Sequence, residues 1–306
     1  MLRLTVALVL ALVLTVGAFS SDRTSGIPGV VAAGAKVELV KEGFQFTEGP
    51  VGTSDGGLYF TDLRANMMYR LDPSDGISVF RDNTAAANGL AVDRSGNLLA
   101  VEGEGRRIIR IDSRGAVGTV TAQAAGGQAF LRPNDLIVDR RGGIYVTDPG
   151  PPDHQRKAFV YYVRPDGDVL RVSDDIRQPN GLTLTRDEKT LLIADTLGSI
   201  VFAFDIQADG SAINKRPFAK LQGIPEGKPS IADGMALDSA GRLYVTTVTG
   251  VQVFDGGGTY LGTIAVPRQP SNVAFSGPDR RTLYITAGEG LYRLHMLSQG
   301  PDRPGK

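Results

Sequence analysis

The chain has 306 residues, of which 42% are hydrophobic and 22% charged, as is ordinary for a folded protein. Basic and acidic residues balance at 33 each, which argues against nucleic acid or an anionic membrane surface as a partner. There is no cysteine, and His154 and His295 are the two histidines. Disulfides, thiolate chemistry and metal sites of several histidines are therefore excluded, and a bound metal would need oxygen ligands, which favours hard cations.

The N-terminal segment has the features of a secretory signal peptide. Arg3 precedes an apolar run over residues 4–18, and the small residues Ser20 and Ser21 follow soon after it. The run is shorter than the ~20 apolar residues of a membrane span. We predict a signal peptide over residues 1–20, cleaved between Ala18 and Ser21. Export to the periplasm or the medium follows, with no stable membrane anchor after cleavage and a flexible leader over residues 21–34.

The rest of the chain repeats one phrase six times. Each phrase begins with a polar residue, which is usually followed by a glycine. A short apolar strand, a turn and a second strand come next, as over residues 88–101. A third strand follows each phrase, and usually a fourth. The first residues of the phrases are separated by 40, 46, 46, 53 and 39 residues; they are Glu48, Asn88, Asn134, Asn180, Asp233 and Asn272. Four strands in ~40–50 residues are typical of a propeller blade.

The repeats predict an all-β fold, a six-bladed β-propeller over residues 35–296 with four antiparallel strands in each blade. The sixth phrase lacks a fourth strand, because residues 297–306 have the composition of a disordered polar tail. The apolar alternation over residues 36–40 predicts an N-terminal strand that closes the last blade and covers its edge. A sandwich or two small β domains would require a linker near the middle, and the sequence contains none.

The first residues of the phrases are the candidate functional residues. In a propeller the first strand of each blade lines the central channel, so these side-chain oxygens converge at one entrance. Two carboxylates facing each other there would repel unless a cation compensates them. We therefore predict a divalent-metal site with Glu48, Asn180 and Asp233 as ligands and Asn134 as a direct or outer ligand. Asn-Gly and Asp-Gly pairs are also common turn formers, and a structural role is what we expect for Asn88 and Asn272.

Other acidic residues have structural explanations. Asp62, Asp148 and Asp195 end second strands, where we expect them to make structural hydrogen bonds. His154 belongs to a polar insertion in the third blade and is expected to be a surface residue, with a lid over the channel as the alternative. Six aspartates recur in the turn after the first strand, where turn formation explains them: Asp55, Asp93, Asp139, Asp187, Asp238 and Asp279.

Four motifs at blade spacing resemble the senescence marker protein / gluconolactonase / luciferin-regenerating enzyme family. The similarity extends over roughly residues 37–294. The motifs are Thr47-Glu48-Gly49-Pro50, Arg132-Pro133-Asn134-Asp135, Gln178-Pro179-Asn180-Gly181-Leu182 and Ala232-Asp233-Gly234-Met235.

The resemblance implies a calcium-dependent esterase that opens sugar lactones. It implies that Glu48, Asn180 and Asp233 are metal ligands. It also implies that Asn134 lies near the metal and the substrate, and that Arg132 contacts the substrate. The chain departs from the family's cytosolic members by its signal peptide, and it lacks the histidine pair of paraoxonase-like relatives. Because the family also contains fluorophosphate hydrolases, the resemblance does not identify the lactone.

We therefore hypothesise an exported lactone or ester hydrolase that uses Ca²⁺, or another divalent cation such as Mg²⁺, Zn²⁺ or Mn²⁺, to polarise the substrate carbonyl. Asp233 would act as general base for water or, alternatively, as the nucleophile. Arg132 and Asn134 would orient the substrate. The alternatives are a non-enzymatic ligand-binding propeller with a structural calcium and a metal-dependent phosphotriesterase-type hydrolase. The sequence predicts nothing about oligomeric state.

Overall fold

A computed structural model describes residues 23–151 and 157–302, and these residues form 24 β-strands in six four-stranded antiparallel sheets. The prediction of a six-bladed β-propeller is confirmed. Within this part of the chain there is no helix with the length and apolar character of a membrane span. The predicted signal peptide over residues 1–20 and the insertion residue His154 lie outside the described residues.

In five blades the strands follow one another in chain order from the channel to the periphery. Blade one contains β2 (Thr47–Gly52), β3 (Leu58–Asp62), β4 (Met67–Leu71) and β5 (Ile77–Arg81). Blade two contains β6 (Ala87–Val92), β7 (Leu98–Glu102), β8 (Arg107–Ile111) and β9 (Val117–Thr121). A short 3-10 turn (Ala125–Gly127) then precedes blade three, which contains β10 (Leu136–Val138), β11 (Ile144–Asp148), β12 (Phe159–Val163) and β13 (Val169–Ser173).

Blades four and five repeat the same order. Blade four contains β14 (Pro179–Leu184), β15 (Thr190–Asp195), β16 (Ile200–Ile206) and β17 (Ala212–Lys220). Blade five contains β18 (Met235–Leu237), β19 (Leu243–Thr247), β20 (Gly250–Phe254) and β21 (Tyr260–Ile264).

Blade six joins the two ends of the chain. It contains β22 (Asn272–Ser276), β23 (Thr282–Ala287), β24 (Gly290–His295) and, as its outermost strand, β1 (Glu38–Glu42). β1 pairs antiparallel with β24, with a register shift between Leu39 and Lys41. The predicted closure of the last blade by an N-terminal strand is therefore confirmed. This closure pairs the edge that β24 would otherwise expose.

The core is divided into six apolar layers, one between each pair of neighbouring blades. Between blades one and two, for example, Val51 and Met68 pack with Leu90 and Ala100. Each sheet is covered on both faces, so its inner strands are apolar on both sides; all five residues of β7 are buried. The ring is thus held together by hydrophobic burial between blades, which leaves the strand starts to form the channel entrance.

The two terminal segments differ from expectation. Residues 23–34, predicted to be a flexible leader, place Ile27, Val30 and Val31 in the apolar layer between blades five and six. Residues 297–302, predicted to belong to a disordered tail, pack beside this leader. The backbone nitrogens of Leu297 and Ser298 donate to Val30 O at 2.9 and 3.2 Å, and Ser298 Oγ lies 2.8 Å from the hydroxyl of Tyr244. The apolar residues of the leader are buried although the residues around them are polar, because removing apolar surface from water is favourable.

The packing of the leader is tested by Val30→Ala. Val30 is fully buried, so we expect the substitution to lower the free energy of unfolding by about 2 kcal/mol. Urea unfolding followed by circular dichroism measures the change. Val79→Ala is the matched control, because Val79 is 54% exposed and should change stability by less than about 0.5 kcal/mol. Equal stability of the two variants would show that the leader does not belong to the core.

Candidate functional site

The channel entrance is built from the starts of the innermost strands, which contact one another around the ring. Glu48 and Asn180 lie within β2 and β14, and Asn134 and Asp233 lie two residues before the first residues of β10 and β18. The backbone nitrogens of Asn134 and Asp233 make equivalent hydrogen bonds: each donates to the carbonyl oxygen of a threonine in the second strand of its own blade, at 2.9 and 3.1 Å. The structure therefore places the predicted residues at equivalent positions of one ring.

In the sixth blade the equivalent position holds Ser271 rather than Asn272. Ser271 N donates to Thr286 O at 2.9 Å, which is equivalent to the hydrogen bonds that Asn134 and Asp233 make in their own blades. The side-chain type had suggested Asn272, but the strand register shifts the ring position by one residue. Asn272 instead occupies the position that follows the ring residue.

The residue after each ring position lies directly against the next blade. A Cβ atom on Gly181 would lie 2.1 Å from the backbone oxygen of Asp233, and one on Gly49 would lie 2.0 Å from that of Asn88. Contacts this short leave no room for any side chain, so glycine is required by the close approach of the strands.

Blades three and six carry a side chain at this position instead of glycine. Asp135 and Asn272 are 1% and 2% exposed, and each accepts a hydrogen bond at 2.9 Å from the backbone nitrogen of the next residue. A Cβ atom on Gly89 would lie 2.1 Å from Asp135 Oδ1, and one on Gly234 would lie 1.9 Å from the Asn272 side chain. The glycines of blades two and five thus accommodate these two side chains. Sequence reasoning missed them, although the absence of glycine at two repeats was a visible signal.

Glu48 is a buried carboxylate, 3% exposed, at the first ring position. Its Oε2 atom accepts hydrogen bonds from Gly49 N at 2.8 Å and from Asn272 Nδ2 at 3.1 Å. Hydrogen bonds to the charged form favour it, so this arrangement stabilises negative charge at the entrance. A carboxylate has several lone-pair sites, so it can accept these bonds and bind a cation as well.

Asn180 provides the observation that most directly points to a ligand. It is 9% exposed, and its Nδ2 atom donates to Thr196 Oγ1 at 3.2 Å. Its Oδ1 atom is buried and accepts no hydrogen bond from the described residues. Leaving such an atom unsatisfied costs about 1–3 kcal/mol. An amide oxygen in this state fits a hard cation, which it can coordinate directly.

The composition of the ring limits how a metal could be held. In residues 23–151 and 157–302, no three His, Asp or Glu side chains cluster closely enough to bind a metal by themselves. A site at the entrance must therefore combine carboxylates with amides, as Glu48 and Asp233 with Asn180 would. Such an all-oxygen set fits calcium or magnesium better than a soft metal.

Asp148 positions the segment that carries Arg132. From the end of β11 its carboxylate accepts hydrogen bonds from the backbone nitrogens of Leu131 and Arg132, at 2.7 Å each. Burial raises the pKa of Asp148, and these amide hydrogen bonds oppose the rise. Arg132 itself is half-buried, and its side chain lies against Gly103 of blade two, two residues before Asn134 in the chain.

The remaining acidic residues have the structural roles expected of them. Asp62 accepts hydrogen bonds from the backbone nitrogens of Gln45 and Phe46, and Asp195 accepts one from that of Gln178. The turn aspartates do the same within their own turns, as Asp93 does for Ser95 N and Asn97 N at 2.8 and 2.9 Å. These turns are at the opposite end of the innermost strands from the ring.

Comparison with known proteins agrees with this architecture. Residues 46–289 match the family model described as the SMP-30/Gluconolactonase/LRE-like region. The chain belongs to the SMP-30/gluconolactonase family. The family resemblance predicted from the four motifs is confirmed.

Several members of the SMP-30/gluconolactonase family are similar over most of their length. A gluconolactonase of Zymomonas mobilis is 26% identical, over 90% of this chain and 85% of that protein. Pentonolactonase XacC of Haloferax volcanii is 30% identical, over 83% of this chain and 91% of that protein. The solved structure of a gluconolactonase from Xanthomonas campestris is 30% identical and has a TM-score of 0.79, with 90% of this chain and 97% of that one covered.

The contact between strands at the ring is tested by Gly181→Ala. The added methyl group would overlap the backbone oxygen of Asp233, so we expect the free energy of unfolding to fall by about 1–3 kcal/mol or more. Chemical denaturation measures the loss. Gly118→Ala is the control, because a methyl group there would meet no atom within 4 Å beyond its chain neighbours, and glycine-to-alanine changes at such sites are neutral or stabilising. An unchanged stability in Gly181→Ala would contradict the close approach.

Proposed function

We propose that this chain is a metal-dependent hydrolase that opens lactones, with Ca²⁺ as the favoured ion and Mg²⁺, Zn²⁺ or Mn²⁺ as alternatives. The observation that carries the proposal is the buried, unsatisfied Oδ1 of Asn180 in the same ring as the carboxylates Glu48 and Asp233. The similarity to proteins named gluconolactonase and pentonolactonase supports a lactone as the substrate class.

Glu48, Asn180 and Asp233 would hold the cation, with Asn134 as a further direct or outer ligand. Their oxygen atoms match the preference of hard cations. A divalent cation bound there would supply Lewis-acid polarisation of the lactone carbonyl.

Asp233 is the residue to which we assign proton transfer. It is half-buried, so water can reach it, whereas Glu48 is buried and hydrogen-bonded to Asn272. As general base its carboxylate removes a proton from the water that attacks the carbonyl carbon. A new carbon–oxygen bond forms, the ring ester bond breaks, and the released ring oxygen takes up a proton to give the hydroxy acid. Arg132 and Asn134 orient the substrate through their donor groups.

Hydrolysis of glucono-1,5-lactone, followed by acid release, tests the proposal. We expect turnover by the chain purified without residues 1–20, its loss on addition of a chelator, and its recovery with Ca²⁺. Asp233→Asn retains a ligand oxygen but cannot accept the proton, so kcat should fall by about 10²–10⁴-fold with metal still bound. Asp187→Asn is the control, because Asp187 lies in the turn at the far end of β14 and serves that turn.

Full activity of Asp233→Asn with metal bound would exclude Asp233 as the base. Turnover of phosphotriesters without turnover of lactones would show that the substrates are phosphotriesters rather than lactones. Metal binding without turnover across a lactone and ester panel would favour a ligand-binding propeller with a structural calcium.

We also propose that the chain is exported and that residues 1–20 are cleaved from it as a signal peptide. The first buried side chain of the described structure is that of Thr24, so cleavage between Ala18 and Ser21 removes no part of the packed leader. Expression in a bacterium, fractionation and N-terminal sequencing test this proposal. The chain in the periplasm or medium should begin at residue 19, 20 or 21. A cytoplasmic chain that retains its intact N-terminus would contradict it.

A further inference from the structure

We propose that Thr196 is a positioning residue, which fixes the Asn180 amide with its nitrogen toward the threonine hydroxyl and its oxygen available as a ligand. This inference rests on the metal site of the proposed function, and it concerns a residue that the ring itself does not contain. Thr196 directly follows Asp195, the last residue of β15, and lies between the two segments that carry Asn180 and Asp233.

The hydroxyl group of Thr196 settles the orientation of the amide. Thr196 Oγ1 lies 2.7 Å from Ala232 O, and because a carbonyl oxygen can only accept, the single hydroxyl hydrogen points there. Toward Asn180, 3.2 Å away, the same oxygen can therefore act only as an acceptor. The amide must present Nδ2 to it, which leaves Oδ1 on the other side, where it is buried and without a hydrogen-bond partner in the described parts of the chain.

The backbone of Thr196 is itself held by both segments. Its nitrogen donates to Gln178 O at 3.0 Å, two residues before Asn180. Its carbonyl oxygen accepts from Ile231 N at 3.1 Å and from the buried hydroxyl of Ser230 at 3.3 Å, just before Asp233. One residue thus connects the approach to a ligand in blade four with the approach to a ligand in blade five.

The bond from Ile231 to Thr196 holds an unfavourable backbone conformation. Ile231 has a φ of 52°, in the left-handed region that β-branched residues avoid. Its side chain is 38% exposed, so packing alone does not explain the conformation. Such strain persists where the surroundings over-determine it, and it is concentrated at functional sites. The hydrogen bonds of Thr196 therefore maintain the strained turn that leads into Asp233.

Loss of the hydroxyl would free the amide to rotate by half a turn. The nitrogen of Asn180 carries hydrogens and cannot coordinate a cation, so every rotated molecule would lack one ligand. Removing a residue that orients a ligand typically costs roughly 10- to 100-fold in metal affinity. Replacing Asn180 by aspartate removes the dependence on orientation, because a carboxylate has an oxygen on both sides.

Calcium titration calorimetry on the chain without residues 1–20 tests the inference. Thr196→Val should weaken Ca²⁺ binding by roughly 10- to 100-fold, and Thr196→Ser should restore it to within about twofold. In the Asn180→Asp background, Thr196→Val should cost less than about threefold. Thr183→Val is the matched control, because Thr183 lies in β14, is fully buried, and makes no hydrogen bond through its hydroxyl to the described residues. Its affinity should not change.

Unchanged affinity in Thr196→Val would overturn the role of Thr196, as would an equal loss in both backgrounds, which is what a merely structural residue would produce. If Thr196→Val does not fold, Thr196→Ala takes its place in the same comparison. Absence of Ca²⁺ binding by the unsubstituted chain would overturn the metal site itself. Failure of lactone turnover with normal Ca²⁺ binding would count against the proposed reaction and leave the role of Thr196 intact.

Discussion

The fold depends on backbone contact between neighbouring innermost strands at the channel entrance. Where Gly181 meets the Asp233 carbonyl and Gly49 meets that of Asn88, there is no space for a methyl group. Hydrophobic layers between blades supply the free energy of burial, but they do not define how near the strands approach the axis. The glycine contacts do, and they bring the preceding side chains within one small ring. The candidate site is thus a consequence of how the blades pack.

Two blades depart from this rule, and the departure makes the ring chemically asymmetric. Asp135 and Asn272 stand in blades three and six, which face each other across a six-bladed ring, and each fills space left by a glycine of the preceding blade. Asn272 also donates to Glu48 and so holds that carboxylate in place. A ring with six equal positions would offer a cation no preferred side. The side chains at blades three and six make the positions of the ring different from one another.

The sequence was sufficient for the architecture and for most of the ring, because both follow from local patterns: a period of short strands and a polar residue before glycine. It was not sufficient at Ser271 and Asn272, where two adjacent polar residues fit the pattern equally well and only the strand register decides. The leader was missed for another reason. Val30 is buried by residues more than 200 positions away, and composition near Val30 carries no trace of those contacts. Thr196 has no sequence signal beyond its place after a strand.

Exposure divides the entrance into two groups with different tasks in the proposed reaction. Glu48 and Asn180 are buried; Glu48 accepts a hydrogen bond from Asn272 of the neighbouring blade, and Asn180 donates one to Thr196 of its own blade. Such support suits atoms that must keep a fixed geometry around a cation. Asp233, Asn134 and Arg132 are only half-buried, so they can meet water and substrate. The hydroxyl of Thr196 joins the groups, since it contacts Asn180 on one side and the residue before Asp233 on the other. Metal affinity and proton transfer would therefore depend on the same small network of hydrogen bonds between blades four and five.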